Sequence, residues 1–168
     1  MGIDFFKEEE VVNDLYFGIC DDEDETTKTP AYVDRNRANK DKWVAKVTNN
    51  TGKAVGFVAV DNKIEIRRDN GDMENRCDAM LHNENYIIFV ELKVQDKDWI
   101  KRAVEEQLLA TINSFKTYHD ISKFRYRIAY ACNRRHPFFA VSHKEYMQQF
   151  RKKHNVRLII GSDIILKA

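Results

Sequence analysis

The sequence lacks the features that identify several large classes of protein. Its three cysteines, Cys20, Cys77 and Cys132, are scattered, and it has no His-x-x-x-His pair, so zinc-ligand spacing is absent. No apolar stretch approaches the length that crosses a bilayer, and the charged first residues show no apolar signal-peptide region. We therefore expect no membrane partner. Cysteines that look unpaired suit a reducing compartment, which favours a cytoplasmic protein.

A strong charge of either sign is also missing. The formal net charge is +1 over 168 residues, which is not the usual signature of a nucleic-acid-binding protein. A nuclease with an acidic catalytic pocket nevertheless needs a basic surface only around that pocket. With 43% hydrophobic residues and no internal repeat, the whole chain, 1–168, is expected to form a single domain around one core.

The most informative segment lies between residues 78 and 93. Four apolar residues, 87–90, run directly into Glu91-Leu92-Lys93. Side chains alternate along a strand, so Glu91 and Lys93 point to the same face, about 7 Å apart. An acid and an ammonium placed in this way at the end of a buried strand suggest a functional site.

Asp78 can reach the same place if the preceding hairpin closes around the polar segment 82–85. That register sets Leu81 opposite Tyr86 and Asp78 opposite Phe89, with Asp78 diagonal to Glu91 and able to share a cation with it. A three-residue loop or a bulge would turn Asp78 away. The same register also allows a purely structural pairing, in which Arg76 lies opposite Glu91 and Asp78 answers Lys93.

Asp78 and the Glu91-Leu92-Lys93 triplet, followed by a helix with Gln107, resemble the PD-(D/E)XK nuclease superfamily, which has the restriction-endonuclease-like fold. The resemblance covers about half the chain, and the proline that often precedes the acid is absent here. It implies that Asp78 and Glu91 hold a divalent cation, that Lys93 helps to activate the attacking water, and that Gln107 helps to order the site. A boundary glutamine half in solvent is an equally good interpretation of Gln107.

The chemistry of phosphodiester hydrolysis needs the same residue types. Mg²⁺, or Mn²⁺ in its place, takes one or two carboxylates and leaves its other positions to water and phosphate oxygens. We expect the metal at Asp78, Glu91 and Leu92. A compact ammonium such as Lys93 can orient water or stabilise the charge of the transition state.

The rest of the chain suggests helices and basic surfaces. We predict a helix over about Asp98–Tyr118 from its buried stripe, a helical extension over Phe5–Ile19 within residues 1–30, and an acidic loop at 21–25. Basic clusters are more often solvated faces than phosphate tracks. The loop that carries Arg134 and Arg135 is the best nucleic-acid-binding candidate, because it follows a strand expected beside the hairpin.

The predicted architecture is α/β, a mixed sheet flanked by helices with an αβββαβ core at about 34–160. Its elements are a helix over Asp34–Thr48, strands 54–60, 63–68, 76–82, 86–94, 126–132 and 156–160, and a helix to about His154 capped by Ser142 and Glu145. The strands before and after the long helix should be parallel. The superfamily often adds a glutamate from the first helix. That helix has none here, and Asp41 is the best substitute as a possible extra acid.

Three functional hypotheses follow. The first is a metal-dependent nuclease with nucleic acid as its partner, DNA in the first instance. The second is a catalytically inactive domain of the same fold that binds nucleic acid or protein. The third is a small regulatory or structural protein in which the E-x-K triplet is accidental. The oligomeric state stays open, a homodimer included.

Overall fold

The computed structural model describes residues 2–22, 29–136 and 143–168, and within these ranges the chain forms ten strands and several helical segments. The strands are β1 (Glu10–Val12), β2 (Tyr16–Cys20), β3 (Tyr32–Asp34), β4 (Ala45–Asn49), β5 (Val55–Ala59), β6 (Ala79–His82), β7 (Tyr86–Lys93), β8 (Tyr126–Asn133), β9 (Arg157–Ile160) and β10 (Asp163–Leu166). The helical segments are two 3₁₀ turns (Arg37–Lys42 and Ile121–Lys123), a π-helical segment (Arg102–Leu108), α1 (Leu109–Tyr118) and α2 (Lys144–His154).

The strands form two mixed sheets. The larger has the order β1-β5-β6-β7-β8-β9, antiparallel from β1 to β7 and parallel from β7 to β9. The smaller has the order β10-β4-β2-β3, in which β10 runs parallel to β4 and the other pairs are antiparallel. The predicted parallel crossover from β7 through the long helix to β8 is therefore confirmed.

The larger sheet is the central layer, and β7 explains why. Ile87 and Phe89 pack toward the helices, in a core with Leu108, Ile112 and Phe115. Ile88 and Val90 point the other way, into a second core with the smaller sheet. A strand that is covered on both faces reads as an uninterrupted apolar run, as residues 87–90 do.

The predicted α/β class with a mixed sheet is confirmed, and several element predictions hold closely. Strands 54–60, 86–94, 126–132 and 156–160 appear with ends shifted by at most one residue. Strand 76–82 is shorter and begins at Ala79. The long helix begins at residue 100, its first turns are π-helical, and it ends at Tyr118 as predicted. The strand β10 was not predicted.

The predicted helix over Phe5–Ile19 is wrong. This segment forms β1 and β2, which belong to different sheets, so Val12 pairs in the larger sheet while Phe17 and Ile19 face the second core from the smaller one. Gly18 shows how closely β2 is packed, because a Cβ there would collide with the indole of Trp43. Apolar residues at helical spacing here serve two separate strands.

The predicted helix over Asp34–Thr48 is also wrong. Only the 3₁₀ turn Arg37–Lys42 is helical, and the Asn36 side chain caps it by accepting the N–H of Ala38 at 3.0 Å. Residues 45–49 then form β4, whose buried residues alternate with half-buried ones as in a strand with one covered face. Predicted strand 63–68 is absent as well, and this region contributes only an isolated bridge between Arg67 and Met73.

The helix Lys144–His154 confirms the predicted end of that element, whereas the predicted Ser142 cap and the extended segment 138–141 lie outside the described residues. Part of the acidic loop lies outside them too. In the portion of the chain that is described, no helix combines the length and apolar composition needed to cross a membrane.

Candidate metal centre

Asp78 and Glu91 lie directly opposite each other. The observed register pairs Met80 with Phe89 and Ala79 with Val90, and one further step sets Asp78 against Glu91. The predicted pairs, Leu81 with Tyr86 and Asp78 with Phe89, are therefore wrong by two residues. The turn is centred one residue later than expected, closed by the Asn83 N–H donating to the Tyr86 carbonyl at 3.1 Å. A shift of two residues keeps every side chain on its face, so Asp78 still faces the helices with Glu91.

Three short contacts hold the acids and Lys93 together. The Asp78 N–H donates to Glu91 Oε1 at 3.1 Å, and the Leu92 N–H donates to Asp78 Oδ2 at 2.7 Å. Lys93 Nζ lies 3.2 Å from Glu91 Oε2. The Glu91 side chain is only 1% exposed and that of Lys93 12%, whereas Asp78 is half-buried. The structure thus brings the three predicted residues into one cluster.

The surroundings of the two acids disfavour their simultaneous ionisation. Burial raises the pKa of Asp78 well above its usual range, and the negative charge of Glu91 raises it further, against the effect of the Leu92 N–H. Burial also raises the pKa of Glu91, although its hydrogen bond with Asp78 and the charge of Lys93 oppose this. Two carboxyl groups this close titrate as a pair, and the pair favours a bound proton or another cation.

The donor set fits a hard cation such as Mg²⁺. Glu91 Oε2 is buried and accepts no hydrogen bond from the described residues, although Lys93 stands beside it. Strand residues direct their N–H and C=O to the same side, so the Leu92 carbonyl points toward the side of Asp78. The described residues contain no group of three or more His, Cys, Asp or Glu ligands. Mg²⁺ needs only one or two carboxylates and keeps several waters.

The long helix supports the strand that carries Asp78. Thr111 is fully buried, and its hydroxyl accepts the N–H of Cys77 at 2.7 Å and donates to the Gln107 carbonyl at 3.0 Å. Gln107 lies one turn before Thr111 on the same helix face, within the π-helical segment. Its Oε1 is buried and finds no partner among the described residues. Gln107 as a whole is half-buried, which both interpretations of it allow, so its role in the site stays a prediction.

Arg76 does not pair with Glu91, so the predicted alternative ion pair is wrong. Arg76 Nη2 lies 3.2 Å from Asp61 Oδ1, and its Nη1 donates to the Ile64 carbonyl at 2.7 Å. The negative charge of Asp61 contributes to the raised pKa of both Asp78 and Glu91. Asp61 follows β5, the neighbour of β6, and was not among the predicted site residues. The signal was its place directly after a buried strand in the same sheet.

The remaining predicted residues are placed differently. Asp41 is exposed on the 3₁₀ turn beside β2 of the smaller sheet, so the structure does not bring this possible extra acid to the pair. The loop after β8 does lie near the site, because the Arg134 N–H donates to the Lys93 carbonyl at 3.0 Å. Arg135 is paired with Asp96 at 2.7 Å, whereas the Arg134 side chain is exposed.

The cluster lies at the carboxyl end of β7, next to an open surface at 95–98. An open cavity of about 790 Å³ lies after the end of β7, lined by Asp96 and Asp98, by residues at the start of the long helix, by His143 and by Tyr146 of α2. Comparison with known proteins gives no further guide, since no family model, curated protein or solved structure matches this chain.

Proposed function

We propose that the protein is a metal-dependent nuclease that hydrolyses phosphodiester bonds, with DNA as its first expected substrate. The observation that carries this proposal is a cluster of two interacting carboxyl groups, in which the fully buried Glu91 accepts the Asp78 N–H at 3.1 Å and Lys93 Nζ lies 3.2 Å from Glu91 Oε2. Such a pair is costly to keep ionised without a cation. Two neighbouring acids that destabilise the fold when ionised are better explained by ligand binding than by a contribution to the stability of the fold.

Each residue would have a distinct task. Asp78 and Glu91, with the Leu92 carbonyl, would hold Mg²⁺ or Mn²⁺, which when bound neutralises phosphate charge and lowers the pKa of water. Lys93 would orient the attacking water or stabilise the charge that develops on the phosphate oxygens. The Leu92 N–H keeps the Asp78 carboxylate turned toward Glu91. Thr111 fixes the backbone in front of Asp78 through Cys77.

The arrangement of β5, β6, β7, long helix and β8 is the part of the expected αβββαβ order that supports a restriction-endonuclease-like core. The helix expected before β5 does not form. No such helix supplies an acid among the described residues, and Asp61 is an additional carboxylate whose charge acts on both Asp78 and Glu91. We therefore propose one metal position, held by Asp78 and Glu91.

A second candidate function is a catalytically inactive domain that binds nucleic acid or protein. The specific observation in its favour is that the acids already have internal partners. Because β6 begins only at Ala79, the Leu92 N–H donates to the Asp78 carboxylate instead of to a strand backbone. Glu91 in turn is paired with Lys93. Under this alternative the cluster closes the end of the hairpin and needs no metal.

Calorimetric titration with MgCl₂ and MnCl₂, run beside cleavage of duplex, single-stranded and branched DNA and RNA, separates the two. We expect the wild type to bind metal and to cut, and Asp78→Asn and Glu91→Gln to lose both, because an amide carries no charge for the cation. Asp69→Asn, an exposed acid, is the matched control and should behave as the wild type. Wild-type protein that binds neither metal and cuts nothing would refute the nuclease.

A further inference from the structure

The cavity beside the candidate metal centre has a composition of its own. Two aromatic side chains line it: Tyr146 on α2, which is half-buried, and Trp99 at the start of the long helix, which is only 7% exposed and belongs to the core. Its polar lining consists of the carboxylates of Asp96, Asp98 and Glu105, the ammonium of Lys101 and the imidazole of His143. With a volume of about 790 Å³ it falls within the range of small-molecule sites.

The cavity begins shortly after the end of β7. Asp96, which lines it, is three residues after Lys93, at most about 11 Å along an extended chain. It also lies outside the carboxyl ends of the parallel strands β7 and β8, where ligands of open α/β sheets commonly bind. A polymer bound at the acids is long enough to reach this opening.

The lining selects the part of the polymer that enters. Three carboxylates against the single ammonium of Lys101 leave the lining net negative, which disfavours a phosphate group, whereas the half-buried ring of Tyr146 offers a surface on which a base can stack. Carboxylates accept hydrogen bonds from exocyclic amino groups, such as N4 of cytosine. We propose that this cavity takes one unpaired, amino-bearing nucleobase, from a strand whose phosphate lies at Asp78 and Glu91. The inference rests on the proposed function and specifies its substrate as nucleic acid with an unpaired base near the cut.

Asp98 is the acceptor that remains available. Asp96 is engaged by Arg135 at 2.7 Å, and Glu105 Oε1 accepts the hydroxyl of Tyr146 at 3.3 Å. Asp98 has no bonded partner among the described residues, and its backbone is left-handed, with φ of 54°. Asparagine adopts this conformation readily, so Asp98→Asn removes the charge without straining the turn.

The two tryptophans of the chain provide the probe. Trp99 lines the cavity, whereas Trp43 is buried against the face of the smaller sheet that points away from the second core. Cytidine and uridine carry no phosphate, so they report on the cavity independently of any metal site. We expect cytidine to quench the tryptophan fluorescence saturably at about tenfold lower concentration than uridine. Trp43→Phe should keep this response and Trp99→Phe should abolish it, while light absorption by the nucleosides affects both variants equally.

Asp98→Asn tests the selectivity. An amide can accept from cytosine or donate to uracil, so the variant should bind both nucleosides with similar strength, while Asp69→Asn keeps the preference of the wild type. Equal binding of both nucleosides by the wild type, or quenching that survives in Trp99→Phe, would overturn the inference. Cleavage of DNA without any nucleoside response refutes the cavity assignment alone. Cytidine-selective quenching without metal binding or cleavage supports the cavity and refutes the nuclease.

Discussion

Replacing Asp78 with asparagine should make the metal-free protein more stable and, at the same time, unable to be stabilised by metal. The amide oxygen can still accept the Leu92 N–H, which donates to Asp78 Oδ2 at 2.7 Å, so the substitution preserves that contact. It removes a negative charge that faces the buried Glu91. A residue retained for function in this way is expected to lower the stability of the empty site.

The size of the effect is bounded by the charges involved. Two unit charges about 4 Å apart, at an effective dielectric constant of about 20, repel by about 4 kcal/mol. The protein avoids most of this cost by keeping a proton on the pair, and Lys93 partly neutralises Glu91. We therefore expect a gain of about 1–2 kcal/mol at pH 8 in EDTA. For a chain of this size that raises Tm by about 2–8 °C.

Magnesium should reverse the order of the two proteins. A ligand at 100 times its Kd stabilises the state that binds it by about 2.7 kcal/mol, so wild-type Tm should rise by about 5–11 °C. Asp78→Asn should not respond. Differential scanning fluorimetry across a MgCl₂ series, with urea unfolding to give free energies, would show the two curves crossing. Asp69→Asn controls for general charge effects.

Two results would refute this reasoning. If Asp78→Asn is less stable than the wild type in EDTA, the carboxylate serves mainly as a structural acceptor for Leu92 and the repulsion is unimportant. If magnesium raises Tm equally in both proteins, the cation binds somewhere that does not include Asp78.

The remaining predictions concern the same site. Folding raises the pKa of Asp78, so the folded protein binds more protons than the unfolded chain. The stability of the metal-free protein should therefore fall as the pH rises from about 4 through the folded pKa. Urea unfolding measured from pH 4 to pH 8 should show this dependence, and Asp78→Asn should flatten it. Lys93→Ala should slow cleavage at least tenfold while calorimetric metal affinity changes little, because an ammonium is not a ligand; Lys97→Ala, an exposed control, should leave both unchanged. Thr111→Val should lower the free energy of unfolding by about 1–3 kcal/mol, because the buried Cys77 N–H loses its acceptor. As a control, Thr117→Val removes a hydroxyl hydrogen bond at an exposed position and should lower the free energy of unfolding by under about 0.5 kcal/mol.

The period of apolar residues was enough to predict those elements whose buried residues repeat within one continuous segment. The apolar run of β7 and the buried stripe of the long helix each recur with the period of their own element, and both elements appear close to their predicted bounds. The N-terminal third failed because its strands are short and change sheets. Val12, Tyr16 and Ile19 have helical spacing, yet Val12 belongs to the larger sheet and the other two to the smaller one.

The sequence also did not predict the contacts that support the site from segments distant in the chain. Thr111 reaches Cys77 across 34 positions, and Asp61 influences the acids from the turn after a neighbouring strand. Neither contact leaves a periodic trace, since each depends on how the helix or the turn is docked on the sheet. Docking of the helix brings Thr111 to the site and pairing of β5 with β6 brings Asp61, and the sequence specifies neither.

The register error shows why the acids themselves could be identified. The predicted turn was centred one residue too early, and this moved every cross-strand partner by two positions. Side chains repeat every two residues along a strand, so an even error exchanges partners but not faces. Asp78 therefore remained on the face of Glu91 and Lys93, and became an opposite rather than a diagonal neighbour. Arg76 moved two positions past Glu91, which removed its ion pair and left Lys93 as the basic side chain 3.2 Å from the buried carboxylate. The observed register thus removes the pairing of Arg76 with Glu91, which depended on the exact partner, and keeps the convergence of the two acids, which depended only on the face.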